Sequence, residues 1–144
     1  MRSETISSPL DFWLGTWEVR DSETGEYAGS NEIAPALDGA AVVERWHGAS
    51  GVDGMSLFYF DRVAGLWRQS WATNVGYAKQ KTQVATGDDS TLVFEGVVRT
   101  PDGIEVRDRT TLTDLGERRV RQLIEVAPLD GEWETGFDAI YTPA

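Results

Sequence analysis

Glycine-containing turn sequences recur at short, regular intervals along the chain, and this spacing is the feature that most restricts its fold. Nearly all of these glycines stand close to Asp, Asn, Ser or Thr, residues that tolerate a positive φ or hydrogen-bond to their own backbone. The nine turns divide the chain into ten segments that are long enough for strands and too short for most helices. The turns are Ser22–Gly25, Leu37–Gly39, Gly48–Gly54, Asp61–Gly65, Asn74–Gly76, Gly87–Ser90, Pro101–Gly103, Asp114–Gly116 and Leu129–Gly131.

The segments between the turns have the composition of β-strands. They are rich in Val, Ile, Thr, Phe, Tyr and Trp, and several alternate in polarity with a period of two. In one of them, Val106, Asp108, Thr110 and Leu112 share a face. The clearest strand-like segments are Ala40–His47, Met55–Phe60, Leu66–Thr73, Thr91–Arg99, Ile104–Thr113, Arg118–Val126 and Trp133–Tyr141.

Ten short strands must protect their edges, and closing the sheet on itself does so. The sequence therefore predicts an all-β fold, a single antiparallel up-and-down β-barrel domain over residues 1–144. A barrel of about eight to ten strands leaves room for a small ligand. Only Pro9–Leu14 resembles a helical turn, with Ser8 as its cap. A two-sheet sandwich is the alternative architecture.

The opening Phe12-Trp13-Leu14-Gly15-Thr16-Trp17 resembles the Gly-x-Trp start of calycin barrels, and more closely that of an uncharacterised bacterial family of lipocalin-like, nitrobindin-like proteins. The resemblance implies a ten-stranded barrel with an internal cavity, one end closed by a short helix and sealed by Trp17. Nitrobindins bind haem through a histidine near the C-terminal end, where this chain has none. We therefore expect no haem. Further matching segments are Gly29–Ile33, Val43–Trp46, Phe60–Asp61, Trp67–Trp71, Arg121–Gln122 and Phe137–Tyr141.

Composition excludes several classes of function. The net charge of −11 disfavours nucleic acid and anionic membranes as partners. The chain has no cysteine and a single histidine, His47, so thiolate and multi-histidine metal sites are excluded, and we expect no cofactor. The polar N-terminus lacks the apolar stretch of a signal peptide, which together with the absence of cysteine favours a cytoplasmic location.

The aromatic residues are candidates for the walls of an apolar pocket, because six Trp are more than a small core ordinarily needs. The alternative is that their rings simply fill the barrel. The predicted ligand-binding residues are Trp46, Trp67, Gln69, Trp71, Gln122, Phe137 and Tyr141.

Polar residues on the apolar faces are the second candidate feature. If the strands pair around a turn at Leu115, Asp108 faces Gln122, and Glu44 lies between Val42 and Trp46 in the same manner. A buried carboxylate needs a partner, water or a proton. These groups either form a hydrogen-bonded network that fixes register or act on a ligand, with Glu44 and Asp108 as candidate acids or bases.

The outer faces offer two further candidates. Arg107, Arg109, Arg119 and Arg121 alternate with Glu105 and Glu125, which favours a solvated charged ladder over an anion site. The segment Met55–Phe60 is apolar on both faces, so its parity does not identify the inward one. An apolar outer face would suit a second subunit, which makes a homodimer a candidate assembly.

These features favour a barrel that binds a small, largely hydrophobic or aromatic molecule inside. The alternative from another class is a cofactor-independent enzyme, such as a cyclase, isomerase or hydro-lyase, that uses a buried carboxylate in the same cavity. A third reading is a purely structural or partner-binding β-domain.

Overall fold

Ten antiparallel strands close into one barrel in a computed structural model that describes residues 8–144. Each strand pairs with its neighbours in sequence, and β1 pairs with β10 to complete the ring. This is the all-β, up-and-down barrel that the turn spacing predicts. The strands are β1 Gly15–Asp21, β2 Tyr27–Ala36, β3 Ala41–Gly48, β4 Asp53–Asp61, β5 Leu66–Thr73, β6 Ala78–Val84, β7 Thr91–Arg99, β8 Glu105–Gly116, β9 Arg119–Pro128 and β10 Glu134–Pro143.

Eight of the nine predicted turns lie at the connections between consecutive strands, and the prediction of the β8–β9 turn is wrong. The chain reverses at Glu117–Arg118, both with positive φ (54° and 58°), as a two-residue hairpin turn requires. Asp108 therefore pairs with Val126 and not with Gln122, whose partner is Leu112. The register moves by an even number of residues, so the inward faces of both strands are still the predicted ones.

One end of the barrel is closed by a 3-10 helix, Asp11–Trp13, within the predicted helical turn. The N-cap residue is Leu10, so the prediction that Ser8 caps this helix is wrong. The Ser8 hydroxyl instead accepts a hydrogen bond from the backbone N–H of Leu10 (3.1 Å). Trp13 inserts into the barrel edge-on to Phe58, with ring centroids 5.6 Å apart. Trp17 is fully buried beside it, and its Nε1 donates to the Trp13 carbonyl at 2.7 Å.

The hydrophobic core lies between this closed end and the middle of the barrel. It is built from alternate residues of the strands, as the period-two pattern predicts. On β4 the even-numbered residues face inward, since Ser56 and Phe58 are buried, whereas Met55 and Leu57 are 48% and 43% exposed. The buried hydrophobic cluster comprises Leu10, Trp13, Trp17, Val19, Ile33, Val42, Phe58, Trp67, Leu92, Phe94, Leu112, Val120, Ala139 and Tyr141.

The arginines of β8 and β9 lie on the outside of the barrel. Arg109 forms an ion pair with Glu125 at 3.1 Å across the two strands, as expected for a charged ladder. The guanidinium groups of Arg107 and Arg109 lie 4.5 and 4.1 Å from the ring centroid of Trp133. Trp133 precedes β10 instead of beginning it, so its predicted place on the strand is wrong by one residue.

None of the helices in residues 8–144 is both long and apolar enough to cross a membrane. The N-terminal residues 1–7, on which the expectation of a cytoplasmic location partly depends, lie outside the described residues.

Candidate functional site

A cavity of about 210 Å³ lies inside the barrel, and its lining divides into two parts by exposure. Partly exposed residues form its rim, and buried residues form its floor. The rim consists of Trp46, Trp71, Lys79, Ile124 and Phe137. The floor consists of Glu44, Gln69, Lys81, Thr110, Gln122 and Tyr141. The rim is thus mostly aromatic or aliphatic, and the floor is entirely polar apart from the ring of Tyr141.

The two indoles of the rim lie against glycines of the neighbouring strands. A Cβ on Gly29 of β2 would come within 2.7 Å of the Trp46 ring, and a Cβ on Gly54 of β4 would overlap the Trp71 ring. At both positions a Cβ would point into the barrel, so any residue other than glycine would displace an indole. Trp46 also meets Phe137 edge-to-face at 6.1 Å. Because these rings lie along the wall, space remains between them.

A chain of hydrogen bonds links four buried side chains of the floor and the layer beneath it. The Nδ2 of Asn31 donates to Glu44 Oε2 at 2.8 Å and to the Tyr141 hydroxyl at 2.9 Å. That hydroxyl donates to Gln122 Oε1 at 2.8 Å. The residues come from β2, β3, β9 and β10, so the network fixes the relative positions of four strands.

Glu44 and Gln69 are joined through Ser56. The Gln69 Nε2 donates to the Ser56 hydroxyl at 2.9 Å, and Ser56 hydrogen-bonds to the Glu44 carboxyl. Burial raises the pKa of Glu44 above its ordinary value, although the hydrogen bonds from Asn31 and Ser56 act in the opposite direction. Burial also raises the pKa of Tyr141, so its phenol stays protonated. Gln69 lines the cavity, and its Oε1 is buried and accepts no hydrogen bond from the described residues.

Two lysines of β6 converge on one carboxylate in the wall of the cavity. Lys79 Nζ lies 2.6 Å from Asp108 Oδ2, and Lys81 Nζ lies 2.8 Å from Asp108 Oδ1. Lys81 also donates to the Thr110 hydroxyl at 2.5 Å. Asp108 and Lys81 are only 1% and 4% exposed, so this is a buried ion pair, with Lys79 at its edge.

A glycine on β7 allows the lysines to reach Asp108 on β8. Gly96 pairs with Asp108, and a Cβ on it would lie 3.1 Å from Lys81 Cγ and would also overlap the Gln80 carbonyl. The β6–β7 ladder spans only Thr82–Val84 on the β6 side, so Lys79 and Lys81 lie beyond its paired part.

Burial and the neighbouring charges shift the pKa values of Asp108 and Lys81. Burial alone would raise the pKa of Asp108, but Lys81 and Lys79 outweigh it and hold that pKa below its ordinary value. Burial lowers the pKa of Lys81, and the attraction of Asp108 opposes this only in part. Asp108 is therefore an ionised structural counter-charge at neutral pH. Of the two candidate acids, Glu44 and Asp108, Glu44 is better suited to carry a proton, because burial raises its pKa.

The structure brings most of the predicted site residues together. Trp46, Gln69, Trp71, Gln122, Phe137, Tyr141 and the candidate acid Glu44 all line the cavity. Asp108 lies behind the lining, beneath the two lysines. Trp67 lies apart, 2% exposed in the core with its ring 5.9 Å from Phe60. It has the predicted inward orientation but lies in the packed part of the barrel.

Sequence reasoning missed Lys79, Lys81 and Thr110 as parts of the site, and Asn31 as the centre of its network. The available indication was that the chain contains only two lysines, in the sequence Lys79-Gln80-Lys81, whereas its other eleven basic residues are arginines. Strand β6 has polar residues on both faces, so its pattern did not reveal an inward side.

His47 is on the outer wall, with its side chain 67% exposed and its Nδ1 3.5 Å from Asp53. Among residues 8–144 no three or more His, Asp or Glu side chains are grouped to hold a metal ion.

Comparison with known proteins finds no family model that matches the chain and no curated protein of significantly similar sequence.

Proposed function

We propose that this protein binds a small, largely aromatic molecule inside the barrel. The observation that carries the proposal is the pairing of an aromatic rim with a buried polar floor around about 210 Å³ of space. Small-molecule sites have this composition, with apolar walls and a few convergent polar groups that fix orientation. An engineered apolar cavity of about 150 Å³ accepts benzene. One or two fused rings therefore suit this volume.

The orientation of the ligand follows from the lining. Its rings would lie between Trp46, Trp71 and Phe137, where flat aromatic faces are available. Its polar end would point to the buried floor, where the side chains are polar.

Blocking the cavity with a side chain tests the proposal. Ile124→Trp places an indole at the rim, and Ile124 takes no part in the hydrogen-bonded network described above. Leu123→Trp is the matched control, since Leu123 is the next residue of β9 and points to the outer face. We expect a fluorescent hydrophobic probe to bind the wild type and Leu123→Trp and to quench their tryptophan emission, and to bind Ile124→Trp at least tenfold more weakly. Equal binding by all three proteins would place the probe outside the barrel and defeat the proposal.

An enzymatic role has one specific observation in its favour. Glu44 is a buried carboxyl that lines the cavity, and burial raises its pKa above the ordinary value, as is typical of a general acid or base. Glu44→Gln keeps an oxygen for Asn31 but removes the acid. Molecules retained by the wild type and by Glu44→Gln would be compared by native mass spectrometry. Different masses would indicate turnover of the ligand, and identical masses would indicate binding alone.

A further inference from the structure

The only two lysines of the chain both line the cavity and share one carboxylate. The protein carries 24 acidic and 13 basic residues, yet this wall of the cavity holds two basic side chains and one acidic one. Two ammonium groups contact Asp108, whose single negative charge neutralises only one of them. Asp108 is 1% exposed and lies behind the lysines, so the excess positive charge faces the cavity.

The other carboxyl of the lining does not remove this excess. Glu44 takes its hydrogen bonds from Asn31 and Ser56, and neither of the two lysines lies within ion-pair distance of it. Burial also raises its pKa, which disfavours its ionised form. Tyr141 stays protonated and contributes no charge.

The lysines also have donors left for a ligand. An ammonium has three N–H groups, and those of Lys81 bond to Asp108 and Thr110, which leaves one. Lys79 has one bond, to Asp108, and its side chain is 34% exposed at the rim. Lys79 and Lys81 are two residues apart on one face of β6, so both ammonium groups reach the same part of the cavity.

We infer that the ligand of this barrel is a small aromatic acid whose anionic oxygens bind between Lys79 and Lys81. This inference rests on the proposed function and names its ligand class. The rings lie against the indoles of the rim, the anion completes the charge balance of the two lysines, and Thr110 keeps Lys81 in place from the floor. A neutral molecule of the same shape would leave one ammonium without a counter-charge.

The test uses an anionic and a neutral probe of matched size and shape, 2-naphthoate and 2-naphthamide, titrated calorimetrically into the full chain at neutral pH. We expect naphthoate to bind at least tenfold more tightly, because its carboxylate accepts charge-assisted hydrogen bonds from both ammonium groups; tenfold corresponds to about 1.4 kcal/mol. Lys79→Gln and Lys81→Met should each remove this preference and leave the affinity for naphthamide within about twofold. Arg45→Gln, which removes the same charge from the exposed outer face of β3, should retain the preference.

The outcomes separate the two proposals. Equal affinity for both probes in the wild type, or a preference that survives both lysine variants, overturns the anion site while the binding barrel stands. If neither probe binds, the proposed function itself fails.

Amine labelling of the wild type provides a measurement that needs no variant. The lysine amines of the chain lie only at Lys79 and Lys81, so reductive methylation followed by peptide mass spectrometry reports on this site alone among side chains. Saturating naphthoate should slow methylation of both lysines at least fivefold more than saturating naphthamide. Equal rates with the two probes would overturn the inference.

Discussion

Replacing Asp108 with asparagine removes the counter-charge of a buried ammonium and should be among the most destabilising polar changes in the barrel. Lys81 is 4% exposed and cannot move into water without opening the wall, whereas the Lys79 side chain is 34% exposed at the rim and can. Breaking a buried ion pair by removing one partner costs roughly 3–5 kcal/mol. The stability of a typical domain is about 5–15 kcal/mol, so Asp108→Asn should be folded but clearly weakened.

The pH dependence of this loss identifies its cause. Burial lowers the pKa of Lys81 already in the wild type, and the loss of Asp108 lowers it further. Below its folded pKa, Lys81 is charged in both states and the full destabilisation applies. Above that pKa the folded protein holds a neutral amine, and the loss should shrink as the pH rises toward the ordinary lysine value of about 10.4. Urea unfolding of Asp108→Asn and wild type between pH 6 and about pH 10 measures this difference.

Two further variants make the result decisive. Asp138→Asn breaks the ion pair with Arg121 on the outer surface (2.7 Å) and should cost about 0.2–1 kcal/mol, without the same pH dependence. Asp108→Asn combined with Lys81→Met removes both buried charges and should recover most of the lost stability. A loss in Asp108→Asn no larger than that in Asp138→Asn, or a double variant weaker than either single one, would refute the buried ion-pair explanation.

Three other predictions concern the whole barrel. Trp17→Ala should lose about 3–5 kcal/mol in urea unfolding, because the ring is fully buried and Arg118 lies 4.9 Å over it; an unchanged midpoint would contradict its sealing role. Above the folded pKa of Glu44, Glu44→Gln should be more stable than the wild type, because a raised folded pKa means that burial penalises the ionised carboxylate. This advantage should disappear as the pH falls and the wild-type carboxyl becomes protonated. Thermal melts at several pH values would show this crossover or its absence. Far-ultraviolet circular dichroism should be β-dominated, and a helical content above about a quarter would exclude this fold.

The fold could be predicted because turn chemistry and side-chain alternation are local properties. A glycine in a left-handed turn and a period-two strand need no knowledge of the rest of the chain. The error at the β8–β9 hairpin has the same origin. Glu117 and Arg118 adopt positive φ without being glycine or asparagine, so the sequence favoured the turn at Asp114–Gly116. Since the true register differs by an even number, the inward residues were still identified.

The aromatic half of the site was predictable and the charged half was not. Trp46 and Trp71 face inward by parity, and their depth in the barrel distinguishes them from Trp67, which parity cannot do. The pairing of Lys81 with Asp108 joins β6 to β8 across Gly96. Such a contact depends on the order of strands around the closed barrel and on a missing side chain in the intervening strand, neither of which has a local pattern.

The choice of lysine at this position has a physical consequence of its own. An arginine guanidinium would bind both oxygens of Asp108 through two parallel N–H groups, so a single cation would occupy the carboxylate. Two ammonium groups instead take one oxygen each, so a single buried carboxylate holds two cations in place. Outside the cavity, every lysine or arginine position of the chain is an arginine. Cationic side chains elsewhere in this protein therefore do not require lysine. The pair thus places two cations beside the aromatic rim of the cavity, and the aromatic anion that we propose as ligand would contact both.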